Sequence, residues 1–295
     1  MMRRWIALFM IVATASMFMT ACGGKESKRN RPKNYKDYKS GTNTGSESTA
    51  KSDMGGSGGD GNFGPAGGQM PTTNCDDIAK GVANSGSIKG QVKYKGKARK
   101  PKPIDMSKDP WCAKNHVATY EDLLVSDSGG LKNVVVYVSK GLNKFEFQPP
   151  SSPALLDQRG CKYIPHVLCL VAGQELQVRN SDDTSHNYHF TSQLNDSVNK
   201  TQPKPATDIV DQLQTPDLSG AFQCDIHGWM KAPTRIFAHP YWAVTDDEGN
   251  FEIKNLPAGT YEISFLHERG SLKAPSQSIT VSAGQAAMVN ATMGK

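Results

Sequence analysis

TDDEGNFEIKNLPAGTYEISFLHE, residues 245–268, alternates apolar and polar side chains between turn formers. Asp247-Glu248-Gly249-Asn250 reads as a hairpin turn, after which Phe251 and Ile253 point the same way, because successive strand side chains face opposite sides of a sheet. Leu256-Pro257-Ala258-Gly259 turns the chain again, and Tyr261, Ile263 and Phe265 form the next inward face. This spacing predicts two strands packed on one core.

The same period extends outward through most of the chain. In SIKGQVKY, Ile88, Gly90, Val92 and Tyr94 share one face, and the run Val134 to Val138 reads as a strand buried on both sides. HVLCLVAGQELQVRNSD suggests two strands joined at Ala172-Gly173, the second carrying Leu176 and Val178 inward. Residues 195–220 are polar and proline-containing, a long loop with room for one short helix or strand. Beyond residue 85 no amphipathic helix is evident, so the fold class is all-β, a sandwich architecture.

The N-terminus is of another kind. Arg3 and Arg4 precede an apolar run from Trp5 to Met19, and Met19-Thr20-Ala21 leads to Cys22. This resembles a bacterial lipoprotein signal, which implies cleavage after residue 21, lipid on Cys22 and a periplasmic or cell-envelope location. The outer membrane is preferred, since Gly23 and not aspartate follows Cys22. Cleavage lowers the net charge from +6 by the two arginines, to +4. Residues 22–85 are rich in Gly, Ser, Thr, Asn and Lys and read as a disordered tether, which for roughly 60 residues spans about 40–45 Å. Cations beside a lipid anchor suit a membrane surface, and no aromatic residues interleave a basic patch, so nucleic acid is not expected as a partner.

Export places six cysteines where disulfides persist. Cys112 and Cys161, both in turn-like sequence, are the candidate bridge. Cys169 lies in an apolar run and reads as a buried free thiol, and Cys75 is the residue that would pin the tether.

Chemistry concentrates in Cys224-Asp225-Ile226-His227-Gly228-Trp229-Met230, which sets a thiolate, an imidazole and a thioether three residues apart. With a histidine from an earlier strand these are the donors of a mononuclear type 1 copper centre, His2Cys with a weak axial Met. His186 is the preferred fourth ligand and His189 its rival; Asn187 is placed to tie the two ligand segments together. Zinc fits less well, since no C-x2-C pair exists and structural zinc seldom takes a thioether. There is no second cysteine in the loop for a binuclear site, no haem attachment sequence, no His-x-His pair and, outside the glycine-rich tether, no G-x-S-x-G. His239 and His267 border the late strands and are a candidate secondary site, while His166 is expected to pack near the copper-side sheet.

SHNYHF followed by CDIHGWM resembles amicyanin and plastocyanin-like cupredoxins over about 90 residues. The resemblance implies a Greek-key sandwich with copper at His186, Cys224, His227 and Met230, and electron exit through an exposed edge of His227. The D-x-x-G-x-F-x-I-x-x-L-P-x-G-x-Y pattern from Asp246 to Tyr261 resembles the carboxypeptidase regulatory-like, transthyretin-like sandwich, which is usually non-catalytic. In that family an opening strand of the type IKGQV comes first, and here it lies far ahead. Two arrangements follow: the cupredoxin is inserted in a split sandwich, or it is joined to it end to end. The boundaries are 86–144 for the early transthyretin-like strands, 145–238 for the copper segment and 239–295 for the late strands.

The function these readings imply is a lipid-anchored carrier of single electrons between a donor and an acceptor redox protein, not an enzyme by itself. The alternatives are an envelope copper-binding or delivery protein, and a surface interaction module with a vestigial copper loop.

Overall fold

The computed structural model describes residues 72–204 and 207–295. The signal segment, Cys22 and the tether up to residue 71 lie outside the described residues. Strand β1 (Thr72–Asn74), helix α1 (Cys75–Lys80), β2 (Ser85–Tyr94), helix α2 (Pro110–Asn115) and β3 (Val135–Lys140) come first. They are followed by β4 (Glu146–Gln148), β5 (Ala154–Gln158), β6 (Tyr163–Ile164), β7 (Leu168–Val171), β8 (Glu175–Asn180), β9 (His186–Thr191), β10 (Val198–Gln202), β11 (Ile209–Gln212), β12 (Ala221–Gln223) and β13 (Lys231–Phe237). The last strands are β14 (Trp242–Val244), β15 (Asn250–Pro257), β16 (Gly259–Leu266), β17 (Gln277–Val281), β18 (Ala286–Met288) and β19 (Ala291–Met293). The fold is all-β, as its alternating sequence predicts.

Apart from β1 and β4, which pair with each other in parallel, the strands form two sandwiches. In the ligand sandwich a five-stranded sheet, β10-β9-β12-β13-β7, faces a four-stranded one, β11-β8-β5-β6. Leu156, Leu170, Leu176, Val178, Tyr188, Phe190, Phe222 and Ile236 fill the space between them. In the flanking sandwich β14-β3-β16-β17 faces β15-β2-β18, with β19 also paired to β2. Its core holds Ile88, Val92, Phe251, Ile253, Tyr261, Ile263 and Phe265, the residues whose alternation marks those strands. All strands of the ligand sandwich therefore lie in sequence between β3 and β14, which are neighbours in one sheet of the other.

Strand β3 explains its own composition. Val134, Val136 and Val138 face the flanking core, whereas Val135 packs with Val167 and Phe237 of the ligand sandwich. Tyr137 lies 5.3 Å from Phe237, whose ring stacks on Trp242 at 5.0 Å. A β-branched run suits a strand with apolar neighbours on both faces.

The turn signals locate reversals but not pairing partners. Asp246 to Asn250 is a turn, with Gly249 N–H donating to the Asp246 carbonyl at 3.0 Å, yet it does not close a hairpin: β14 pairs with β3 and β15 with β2. Gly249 has φ 77°, and a Cβ there would lie 2.4 Å from the Val92 carbonyl oxygen, so this corner admits only glycine. Likewise Ala172-Gly173 passes the chain from one sheet of the ligand sandwich to the other. Residues 195–220 hold two strands, β10 and β11, where the sequence suggested room for one element. Helix α2 corrects the expectation of no helix past residue 85, and β1 and helix α1 correct the end of the stretch 22–85 that reads as disordered, because Cys75 and Ile78 are buried. Helix α2 begins where the Asp109 carboxylate accepts from the N–H groups of Trp111 and Cys112, with Pro110 at its first position.

Phe222 is fully buried, with Phe190 and Tyr188 at ring distances of 4.8 and 5.5 Å. Phe222→Ala is expected to lower the unfolding free energy by about 3–5 kcal/mol in urea titrations.

Candidate metal centre

Strand β9 ends the polar turn Ser181–Ser185 and opens with His186, whose side chain points between the sheets. The loop after β12 brings Cys224, His227 and Met230 to the same end. Its curl is fixed by the backbone: Met230 N–H donates to the His227 carbonyl at 2.8 Å, and Cys224 N–H to the Met230 carbonyl at 3.2 Å. Asn187 joins the two segments, its Oδ1 accepting from Asp225 N–H at 2.7 Å while its Nδ2 donates to Asn199 Oδ1 at 2.7 Å. Tyr163 braces the strand by donating to the Asn187 carbonyl at 2.6 Å.

Donor atoms of His186, Cys224 and His227 lie within 4.8 Å of one another, and all three residues are buried. Met230 is buried beside Cys224 in the same core. Burial would push the Cys224 thiol up. Hydrogen bonds from the His227 ring and from the N–H groups of Asn187 and His227 outweigh it and hold the thiol below its ordinary range, which favours the metal-binding thiolate.

The imidazoles supply the sharpest constraint. His186 Nε2 lies 2.9 Å from Asp182 Oδ2 and His227 Nε2 lies 2.8 Å from Asp109 Oδ2. An ionised carboxylate only accepts, so each Nε2 carries a proton and each Nδ1 is turned inward. Those two Nδ1 atoms face each other at 2.8 Å, with Cys224 Sγ 3.8 Å from that of His227. A hydrogen bond between them takes one proton, and a metal ion in that proton's place would meet two imidazole nitrogens and a sulfur, so the donor set fits a soft metal ion.

The sequence resemblance implies an exposed edge for His227; the structure corrects this. His227 is 1% exposed, because the connection between β2 and β3 covers it with Asp109 and helix α2. That connection is fastened by the Cys112–Cys161 disulfide, and Cys112 Sγ lies 4.0 Å from His227 Nε2. Trp229 packs on His227 at 5.0 Å and donates its indole N–H to the Cys161 carbonyl at 3.0 Å. Asp109 and Asp182 were not singled out in the sequence. The Asp-Pro pair at 109–110 is a helix-start signal, but nothing marks Asp182 apart from its neighbour Asp183.

Other candidates lie elsewhere. His189, three residues along the strand and hence on its other face, bonds the Asp225 carboxylate at 3.1 Å. His166 bonds Glu268 of the flanking sandwich at 2.5 Å. His239 sits among Phe147, Phe237 and Tyr241, and His267 accepts from Arg269 N–H at 3.1 Å. Among the described residues no contact or metal-type cluster joins His239 to His267, so the secondary site is not assembled. Cys75, Cys169 and Cys224 are free thiols.

Among curated proteins none matches the sequence. The family model described as polysaccharide lyase family 4, domain II, matches residues 225–289. It overlaps the motif that resembles the carboxypeptidase regulatory-like pattern and gives that segment a different description. Among solved structures, a Cu-containing nitrite reductase (NirK) from Thermus scotoductus is 18% identical over 30% of this chain, with a TM-score of 0.27. This chain spans only 23% of that protein's length. A mutant of amicyanin, Cu(I), is 15% identical, covering 29% of this chain and 82% of its own, with a TM-score of 0.26. The Bacillus anthracis TIE protein is 9% identical over 72% of this chain and 51% of its own, at a TM-score of 0.17. These scores are low, and the architecture above rests on strand pairing alone.

Asn187→Ala strands the Asp225 N–H and should lower the unfolding free energy by about 1–3 kcal/mol in urea. Burial pushes the His239 imidazole down from 6.5 to about 4. As pH falls through that window the unfolded chain takes up a proton that the folded ring refuses, so stability declines from pH 6.5 to about 4. His267, also lowered by burial, acts in the same direction. His239→Phe should flatten the slope of urea midpoint against pH over this range without abolishing it.

Proposed function

We propose that this chain is a type 1 copper electron-transfer protein, with His186, Cys224, His227 and Met230 holding one copper ion. The observation that carries the reading is the convergence of two buried Nδ1 atoms beside the buried Cys224 sulfur. Bound copper would supply one-electron cycling between Cu(II) and Cu(I). The residues would do the rest: Cys224 would offer a soft anionic donor, the imidazoles would suit both oxidation states, and the Met230 thioether would add a weak soft donor. Asn187 and the loop hydrogen bonds fix these donors in advance, so little of the protein has to move with the charge. Nothing here makes or breaks a substrate bond, so the proposed role is that of a carrier between redox proteins and not of an enzyme. The sequence at Cys22 supports anchorage to an envelope membrane by lipid.

A second reading, copper retention and delivery, is favoured by one observation: His227 is sealed under helix α2 and not bare to a partner. Rapid electron self-exchange supports the carrier, whereas slow exchange with passage of Cu(I) to an acceptor chelator supports delivery.

Loading the purified protein with Cu(II) should produce an intense visible thiolate-to-copper band that bleaches on reduction. Cys224→Ser should remove the band while leaving the far-UV circular dichroism unchanged. A colourless wild-type protein after loading would exclude the type 1 assignment.

A further inference from the structure

Both imidazoles of the centre end on a carboxylate, and neither carboxylate belongs to the ligand set. Asp182 reaches His186 Nε2 and Asp109 reaches His227 Nε2, at 2.9 and 2.8 Å. The rings are 0% and 1% exposed, and the Asp182 and Asp109 side chains 3% and 16%. Water therefore has little access to these contacts.

Each carboxylate is cradled by donors of its own. Asp182 accepts from the N–H groups of Gly160 and Cys161, both at 2.7 Å. Asp109 accepts from the N–H groups of Trp111 and Cys112 at 2.8 and 3.1 Å and from Thr184 Oγ1 at 2.9 Å. Asp182 also faces the His116 ring, 3.9 Å from its other oxygen. The disulfide joins Cys112 to Cys161, so it staples the two cradles to each other. Such placement keeps both groups charged and aimed, and it cannot be explained as incidental surface pairing.

We propose that Asp109 and Asp182 are positioning residues that bias the centre toward Cu(II), lowering its reduction potential below what the ligand set alone would give. The inference rests on the copper reading above. A carboxylate that accepts the Nε2 proton makes Nδ1 a stronger donor, and outer partners of this kind alter metal affinity by about 10- to 100-fold. Two negative charges held in a poorly solvated site also favour the more highly charged ion. Both effects have the same sign. Asp109 comes from the β2–β3 connection, so the flanking sandwich contributes to the balance at a centre whose ligands it does not supply.

The test uses the full-length protein and the isosteric variants Asp109→Asn and Asp182→Asn. Cu(II) and Cu(I) affinities are measured by chelator competition, and the midpoint potential by spectroelectrochemistry. Each variant is expected to lose about 10- to 100-fold in Cu(II) affinity with a smaller change for Cu(I). At 59 mV per tenfold for one electron, that raises the potential by about 60–120 mV where Cu(I) affinity is constant. Asp109→Glu, which keeps the charge, should return the potential toward wild type. Thr184→Ala, which removes one donor to Asp109, gives a smaller rise and serves if an Asn variant does not fold. An unchanged or lowered potential, or equal loss of both affinities, overturns the inference while the blue band of the variants keeps the copper reading. A wild-type protein without the band removes both.

Discussion

Two imidazole nitrogens face each other at 2.8 Å in a buried site, and much of the local structure exists to hold them there. The carboxylates of Asp182 and Asp109 fix the outer nitrogens, and backbone donors and a helix cap fix the carboxylates in turn. Asn187 keeps the loop of Cys224 registered against the strand of His186. Each inward donor is thus held by an outer partner of its own.

The two sandwiches share this task. The ligand sandwich offers the inward donors, while the connection between β2 and β3 closes over His227 and is bound by the disulfide at Cys161. The aromatic contact of Tyr137, Phe237 and Trp242 holds the same two bodies together on another side. Because His227 has no bare edge, Trp229, half-buried and packed against it, is the adjoining ring with access to solvent.

The strands were legible because their signal is local. Phe251, Ile253, Tyr261, Ile263 and Phe265 alternate in sequence and meet in one core. The donors were legible through residue type and order, and His186, Cys224 and His227 do converge. What escaped was non-local. Helix α2 has six residues and no apolar period to announce it. The turn at Asp246–Asn250 changes sheets where a hairpin was expected, since a turn signal marks a reversal and not the partner. The cover on His227 comes from a residue 118 positions away, and no short pattern reports such a contact. His239 and His267 each border a strand of the flanking sandwich, but that shared position did not bring their rings together.

Strand β3 pairs with β14, with the whole ligand sandwich strung between them. Closing so long a loop of random chain costs conformational entropy, and the cost grows with the logarithm of its length. Once the intervening strands have collapsed on their own core, the two ends emerge side by side and the loop is effectively short. Assembly order is therefore built into the topology: formation of the inner core lowers the entropic barrier to zipping β3 onto β14, and a defect at Phe222 or Leu170 slows the completion of a sheet that contains neither residue.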